Sequence, residues 1–431
     1  MPPKTLVIGA AGAVGKRLVS AVAAAGGEVI AADRMKYIPS SIRRNATSCV
    51  GGIDVRDKAA LGALFREYAD PNTIVWNLAS PLSVETALSP EMAEAVVIGG
   101  MKNVLGAMQT VGCRRICFTD SIGSFGASSP RDDVAARWLV DNPTQDPGSD
   151  YGVQKRACRE LLDEFATRDG GDPRIAILPG VLHGNPVWGN GTTEYALDAM
   201  LAAARGQRFA CPIDDDVTLP MVFTDDLMRG LLALQHAEEH ELREPQRLYN
   251  IPGLSFTPAE LIHEIRQHVP DFEVYDERND NMDKFAKLWP DTLSHEASLR
   301  DLDYEPDITL PRMVASVLNA HSSRRLSSRA AFRSIDTCES GRINDYMLEK
   351  YVRKYLVRGR ERHGYITRRQ DLVLDIVSEA MTQMDLDNDS IVSMNDFLEW
   401  SRVHDLDALV DDFASKHWEA EKQAAGALGP I

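Results

Sequence analysis

Residues 5–33 read TLVIGAAGAVGKRLVSAVAAAGGEVIAAD. Leu6-Val7-Ile8 is a short apolar run that predicts a buried strand. Val14 to Ala25 carries helical spacing, and Val29-Ile30-Ala31-Ala32 predicts a second strand. Gly9, Gly12 and Gly15 stand between the first strand and the helix. Gly9 suits a tight turn, Gly12 leaves the backbone open to a pyrophosphate, and Gly15 lets helix and strand approach. With Ala13 and Val14 they form a loop whose helix N-terminus favours an anion. A purely structural glycine turn is the competing reading. Asp33, ending the second strand, is placed to accept hydrogen bonds from ribose hydroxyls, which favours NAD over NADP. Two alternatives stay open at this position. Arg34 can receive a 2′-phosphate, and Asp33 can be no more than a strand-end cap. Asp54 and Val55, after a third strand, are weaker candidates for the adenine edge.

Outward from this unit the alternation repeats. Thr73–Trp76, Arg115–Phe118 and Arg174–Leu178 read as further strands, with helical stretches between them. Repeated β-α-β units predict an α/β protein with a Rossmann-type, doubly wound parallel sheet over residues 1–180. Residues 181–321 read as a smaller α+β substrate-binding portion over the C-terminal edge of the sheet, interleaved with the first. There Thr257-Pro258-Ala259-Glu260 is a capping box that opens a helix to about Val269, and a last helix is expected over about 310–321. The polar stretch Ser322 to Ser328 marks a boundary. Residues 322–369 hold 13 basic and 5 acidic residues, net +8, whereas 370–431 hold 3 basic and 14 acidic, net −11. Residues 322–431 read as all-helical, with helices near 324–335, 345–358, 369–384, 394–404 and 405–422.

The 431-residue chain has a formal charge of −17, which argues against nucleic acid or an anionic membrane as partner, since both are negative. No apolar run is long enough to predict a membrane span. Six scattered cysteines, with no Cys-x-x-Cys pair, predict a reducing compartment rather than a disulfide scaffold. Met1-Pro2-Pro3-Lys4 leads straight into the first strand and predicts no secretory signal. A cytoplasmic protein is expected, and a mitochondrial matrix location stays open.

Tyr151-Gly-Val-Gln-Lys155 places a phenol and an ammonium on one helix face. A neighbouring cation eases ionisation of a phenol, which can then act as base toward a substrate hydroxyl. Thr119-Asp-Ser121-Ile-Gly-Ser-Phe-Gly126 follows a strand upstream, so Ser121 can hydrogen-bond the same substrate oxygen.

With these motifs the chain resembles the extended short-chain dehydrogenase/reductase superfamily. The likeness rests on the glycine triplet, Asp33, Asn77-Leu78-Ala79, Ser121 and Tyr151/Lys155. Within it the chain is similar to the short-chain type of L-threonine 3-dehydrogenase. That likeness rests on Gly191-Thr192-Thr193-Glu194-Tyr195-Ala196, Leu219-Pro220-Met221, Ser255-Phe256-Thr257-Pro258, Val269-Pro270-Asp271-Phe272 and Trp289-Pro290. It covers about residues 4–320. The resemblance implies that Tyr151 is the base, Lys155 its activator and a ribose ligand, and Ser121 the donor that orients the substrate oxygen. It implies Leu78 and Ala79 against the cofactor and Val181 beside the nicotinamide. L-threonine is the implied substrate, with Thr192 and Thr193 on its carboxylate and Ser83 in contact with it; a helix N-cap is the competing reading of Thr192 and Thr193, and the two can hold together. Trp289 reads equally as packing or as a substrate wall. A homodimer is implied as well. Departures from the family pattern are Asp120, where a small hydroxyl residue is usual, Gly189-Asn190-Gly191 in place of a glycine run, and His183-Gly184-Asn185.

Asp385-Leu-Asp387-Asn-Asp389-Ser390-Ile391-Val392-Ser393-Met-Asn-Asp396 resembles an EF-hand calcium loop. Asp385, Asp387, Asp389 and Asp396 would offer carboxylates and Ile391 a carbonyl, a hard-oxygen set suited to Ca²⁺. Ser390 replaces the turn glycine and Asp396 the usual bidentate Glu, so the site is expected to be weak and open to Mg²⁺. Asp336 to Met347 looks like a degenerate partner loop without adequate ligands. A solvated acidic loop without metal is the alternative.

Three functions compete at this level. One is NAD-dependent oxidation of L-threonine at C3 by an enzyme with an EF-hand-like appendage. Another is a sugar or sugar-nucleotide dehydrogenase or epimerase of the same superfamily, which the Thr192-Thr193 loop argues against. The third is a calcium-responsive, dinucleotide-binding interaction protein, which retention of Ser121, Tyr151 and Lys155 together argues against.

Overall fold

The computed structural model describes residues 3–36, 38–81, 86, 89–183 and 192–320, together with scattered residues between 335 and 397. Ser83, residues 184–191 and the loop positions Asp385, Asp387, Asp389, Ile391 and Asp396 lie outside the described residues. The chain forms two compact units, Met1–Leu318 and Asn319–Ile431.

The first unit is built on a seven-stranded parallel sheet of Rossmann type. Its strands are β1 (Thr5–Ile8), β2 (Val29–Asp33), β3 (Ser48–Gly51), β4 (Ile74–Asn77), β5 (Arg115–Ser121), β6 (Asp172–Leu178) and β10 (Leu248–Asn250). They lie in the order β10-β6-β5-β4-β1-β2-β3, every neighbouring pair parallel. Such strands are covered on both faces, which is why β1, β2, β4 and β6 are buried along their whole length. The chain leaves β1 toward β2 and β3, then returns to place β4 on the other side of β1. That reversal opens a crevice at the C-terminal strand ends. Gly9, Asp33, Asn77 and Ser121 all stand at those ends.

Helix Gly15–Ala24 follows the glycine loop and buries Leu18, Val19 and Val22 against the sheet. Helix Asp150–Asp169 starts at Ser149, whose hydroxyl accepts the Gly152 N–H at 3.2 Å, and stops at Gly170 in the left-handed region. It leads into β6.

A second core forms among β7 (Gly180–Leu182), β8 (Phe209–Cys211), β9 (Leu219–Phe223), β11 (Leu254–Phe256) and β12 (Val274–Asp276). Helices Tyr195–Arg205 and Pro258–His268 and the helical residues 310–320 pack with them. The capping box at the start of Pro258–His268 is complete. Thr257 Oγ accepts from Glu260 N at 3.1 Å, and the Glu260 carboxylate accepts from Thr257 N at 2.8 Å. The two cores share one body, since β10 joins the main sheet beside β6 although it comes from the smaller portion. Trp289 packs against both.

In the second unit the described residues 335, 347–348, 381, 383–384 and 397 are helical. The all-helical reading passes over one feature: β13 (Arg342–Ile343) pairs antiparallel with β14 (Val392–Ser393). Ile335, Ile343, Leu348, Met384, Val392 and Phe397 are buried. No helix among the described residues is long and apolar enough to cross a membrane.

Candidate active site

Gly9 takes a φ of +83°, open to glycine at little cost. It also lies against the chain after β4: a Cβ there would stand 2.9 Å from the Leu78 carbonyl carbon. A Cβ on Gly15 would stand 2.3 Å from the Gly9 carbonyl oxygen. The three glycines therefore let the first helix press onto its own loop. Asp33 is buried, and its two oxygens accept from Ala11 N at 2.8 Å and Met35 N at 3.0 Å. It thus ties the glycine loop to the end of β2, so the capping role is present. Each carboxylate oxygen keeps a second lone pair for a ligand.

These parts border one cavity of about 630 Å³. Gly9, Gly12, Asp33, Arg34, Asp54, Val55, Leu78 and Ala79 line it, so most of the expected cofactor residues meet in one place. Its lining suits a dinucleotide: glycine backbone, the Asp33 carboxylate and apolar side chains. Ala13, Val14, Gly15, Tyr151, Lys155 and Val181 do not line it. Gly15 supports the loop from behind, and Val181 packs against the hydrophobic core under β1 and β2. Asp54 is held by Arg56, with Arg56 Nε at 3.0 Å, and this guanidinium lowers its carboxyl below the usual range.

Sequence reasoning missed Arg56, Ser80, Pro81, Met92 and Val96 as lining residues. Met92 and Val96 share a helix face, but that spacing reads as ordinary core packing. A π-helical turn, Ala95–Gly99, inside the helical stretch presents Val96 to the cavity while Val97 points into the core.

Across the sheet, β5 and helix Asp150–Asp169 bring Ser121, Tyr151 and Lys155 together. Lys155 is buried and donates to the Thr119 carbonyl oxygen at 2.8 Å. Its Nζ lies 5.3 Å from the centre of the Tyr151 ring and 4.7 Å from that of Phe118. Ser121 Oγ accepts from Gly123 N at 3.1 Å. Gly123 has no side chain between Ser121 and Tyr151: a Cβ there would stand 3.2 Å from Tyr151 Cδ1 and 3.5 Å from Ser121 Oγ. Serine hydroxyl, phenol and ammonium thus share one small region.

Asp120 does not leave a bare charge beside Ser121. It is 2 % exposed and ion-paired with the equally buried Arg159. Cys158, next to that arginine, has its thiol pushed up to about 12, chiefly by burial, which leaves it no thiolate for nucleophilic work.

The Thr192–Glu194 turn lies against Gly180 of β7. A Cβ on Gly180 would stand 2.6 Å from Thr193 Cβ. Gly180 follows Leu178, the register partner of Ser121, by two residues, so Thr193 and Ser121 share one sheet edge. Helix Tyr195–Arg205 has Glu194 at its N-cap and no side-chain cap, so neither threonine caps it. Trp289 stacks on Phe285 with centroids 6.5 Å apart and leaves its buried Nε1 without a hydrogen-bond partner. The contacts described for it are packing contacts. Among the described residues, no group of three or more His, Cys, Asp or Glu side chains could hold a metal ion.

The sequence pattern of the NAD dependent epimerase/dehydratase family matches residues 5–251. The chain is 32% identical over 272 residues to the mitochondrial L-threonine 3-dehydrogenase of Bos taurus, and 31% identical over 272 residues to that of Sus scrofa. Each alignment covers 62% of this chain and 69% of the relative. Among solved structures it resembles the GalE-like L-threonine dehydrogenase from Cupriavidus necator in its holo form. The TM-score is 0.67 at 28% identity, over 74% of this chain and 99% of that one.

Proposed function

The chain belongs to the NAD dependent epimerase/dehydratase family, and on that premise we propose that it oxidises L-threonine at C3 to 2-amino-3-oxobutyrate. The observation that carries the reading is the gathering of Ser121, Tyr151 and Lys155 at the sheet edge shared with Thr193. NAD, when bound, supplies the acceptor for the C3 hydride. Gly9, Gly12 and the helix N-terminus would hold its pyrophosphate, and Asp33 its ribose hydroxyls. Tyr151 takes the proton of the threonine hydroxyl. Lys155, fixed by the Thr119 carbonyl, places a positive charge beside the Tyr151 ring. Ser121 donates to the reacting oxygen and keeps it in line with Tyr151. Thr192 and Thr193 hold the amino-acid carboxylate, with hydroxyls and backbone N–H groups as donors.

The test is NADH formation followed by absorbance, with L-threonine, other 3-hydroxy amino acids and UDP-sugars as substrates. Turnover of L-threonine is the expected result. Turnover of a UDP-sugar in its absence would return the chain to the sugar-nucleotide branch of the family.

For residues 322–431 we infer an EF-hand-like pair. Its support is the symmetry of the pairing between β13 and β14. Ile343 stands seven residues after Asp336, Val392 stands seven after Asp385, and these two residues face each other in register. Only the second loop carries enough carboxylates for a divalent ion.

A further inference from the structure

We propose that Asp120 and Arg159 form a positioning pair that holds Ser121 in place opposite Tyr151. The proposal rests on the dehydrogenase reading above.

Helix Asp150–Asp169 presents Tyr151, Lys155 and Arg159 at intervals of four, one above another on a single face. Two of these reach the end of β5 at successive residues. Lys155 donates to the Thr119 carbonyl, and Arg159 pairs with the Asp120 carboxylate. The next residue is Ser121. The Asp120 carboxylate that receives Arg159 on Oδ2 also accepts from Ser121 N at 2.8 Å and from Ser124 Oγ at 2.6 Å on Oδ1. One carboxylate therefore orients the Ser121 peptide, closes the Ile122–Ser124 turn and binds the helix that carries Tyr151.

The pair is buried on both sides: side-chain exposure is 4% for Arg159 and 0% for Asp120. A buried carboxylate deprived of its cation must take up a proton or turn toward other donors. Turning away releases the Ser121 N–H and protonation weakens the bond that holds it, because the same group accepts from it. Arg159 touches neither cofactor cavity nor reacting atoms in this arrangement, so its effect on the reaction passes through Asp120 and Ser121. Misplacing a substrate-orienting hydroxyl lowers the rate of the chemical step more than it lowers cofactor binding.

The experiment uses the full-length protein as wild type, Asp120→Asn, Arg159→Met and Arg159→Lys. Turnover of L-threonine, NADH affinity by fluorescence and the unfolding midpoint are measured on each. Asp120→Asn keeps the shape of the side chain and serves if Arg159→Met does not fold. The expected result is a fall in kcat of about tenfold or more in Asp120→Asn and Arg159→Met, with NADH affinity within about twofold of wild type. Arg159→Lys should recover most of the rate. The proposal is overturned if kcat stays within about twofold of wild type, or if NADH affinity falls as far as kcat. Should wild type not oxidise L-threonine, the dehydrogenase reading fails separately. Crystal structures of wild type and Asp120→Asn with NAD then decide the pair alone. A displaced Ser121 turn supports it, and an unmoved turn overturns it.

Discussion

Gly152 and Gly123 meet so closely that a Cβ on Gly152 would stand 2.1 Å from the Gly123 carbonyl oxygen. The first turn of the helix bearing Tyr151 is therefore seated directly on the turn that follows Ser121. No side chain can intervene, and the spacing between phenol and hydroxyl is set by backbone against backbone.

Tyr151→Phe keeps the ring that packs on Gly123 and removes only the proton acceptor. Turnover of L-threonine should fall by about 10²–10⁴. NADH affinity, measured by fluorescence, should stay near wild type. Near-normal initial rates of NADH formation would take Tyr151 out of the mechanism.

Asp33 both lines the cavity and ties down Ala11. Asp33→Ser should weaken NAD by about tenfold through loss of charged hydrogen bonds, and should narrow the gap between NAD and NADP. Titration with each cofactor checks both effects. Equal use of NAD and NADP by wild type would instead assign control of the site to Arg34.

Gly15→Ala drives a methyl group into the Gly9 carbonyl oxygen, and a backbone atom cannot rotate away as a side chain can. A cost of about 1–3 kcal/mol is expected for such overpacking. It should appear as a lower unfolding midpoint together with weaker NADH binding, since the same loop does both jobs. An unchanged melting curve and unchanged affinity would show that the helix can move aside.

Asp301 offers a pH prediction. Burial alone would raise its carboxyl. Hydrogen bonds from Arg300 Nε at 2.7 Å, Tyr249 OH at 2.8 Å and Arg243 N at 3.2 Å outweigh that and hold it at about 2. A depressed folded-state pKa contributes stability above the unfolded value of about 4, and that stability is lost as pH falls toward 2. The difference in unfolding free energy between wild type and Asp301→Asn should shrink by about 2 kcal/mol between pH 5 and pH 2. Denaturant titrations across that range measure it. A constant difference would mean that Asp301 is not ionised through these contacts.

Calcium titration by calorimetry tests the loop Asp385 to Asp396. A weak isotherm, about millimolar, is expected for wild type and none for Asp385→Ala. Turnover measured in parallel tells whether the ion favours one state of the enzyme over another. Absence of heat up to millimolar calcium would leave the segment as a structural or docking module.

Features settled within a few residues were legible in the amino-acid order alone. The strand, glycine loop and helix of residues 5–24 follow from apolar runs and glycine placement, and the structure reproduces them to within a residue or so. The capping box at Thr257 and Glu260 and the shared helix face of Tyr151 and Lys155 are likewise local, because a three- or four-residue spacing fixes them once the helix exists. Other features depend on contacts between distant segments. Leu248–Asn250 is too short to announce its place, and it becomes a main-sheet strand because β6 leaves a parallel edge for it. Met92 and Val96 carry no local sign of a cavity wall; they line one because β4 ends beside β1. Asp120 reads in sequence as an unexplained charge next to Ser121. Its partner, 39 residues away, reaches it only when helix and strand pack, and a buried charge cannot be judged until the group that neutralises it is in place.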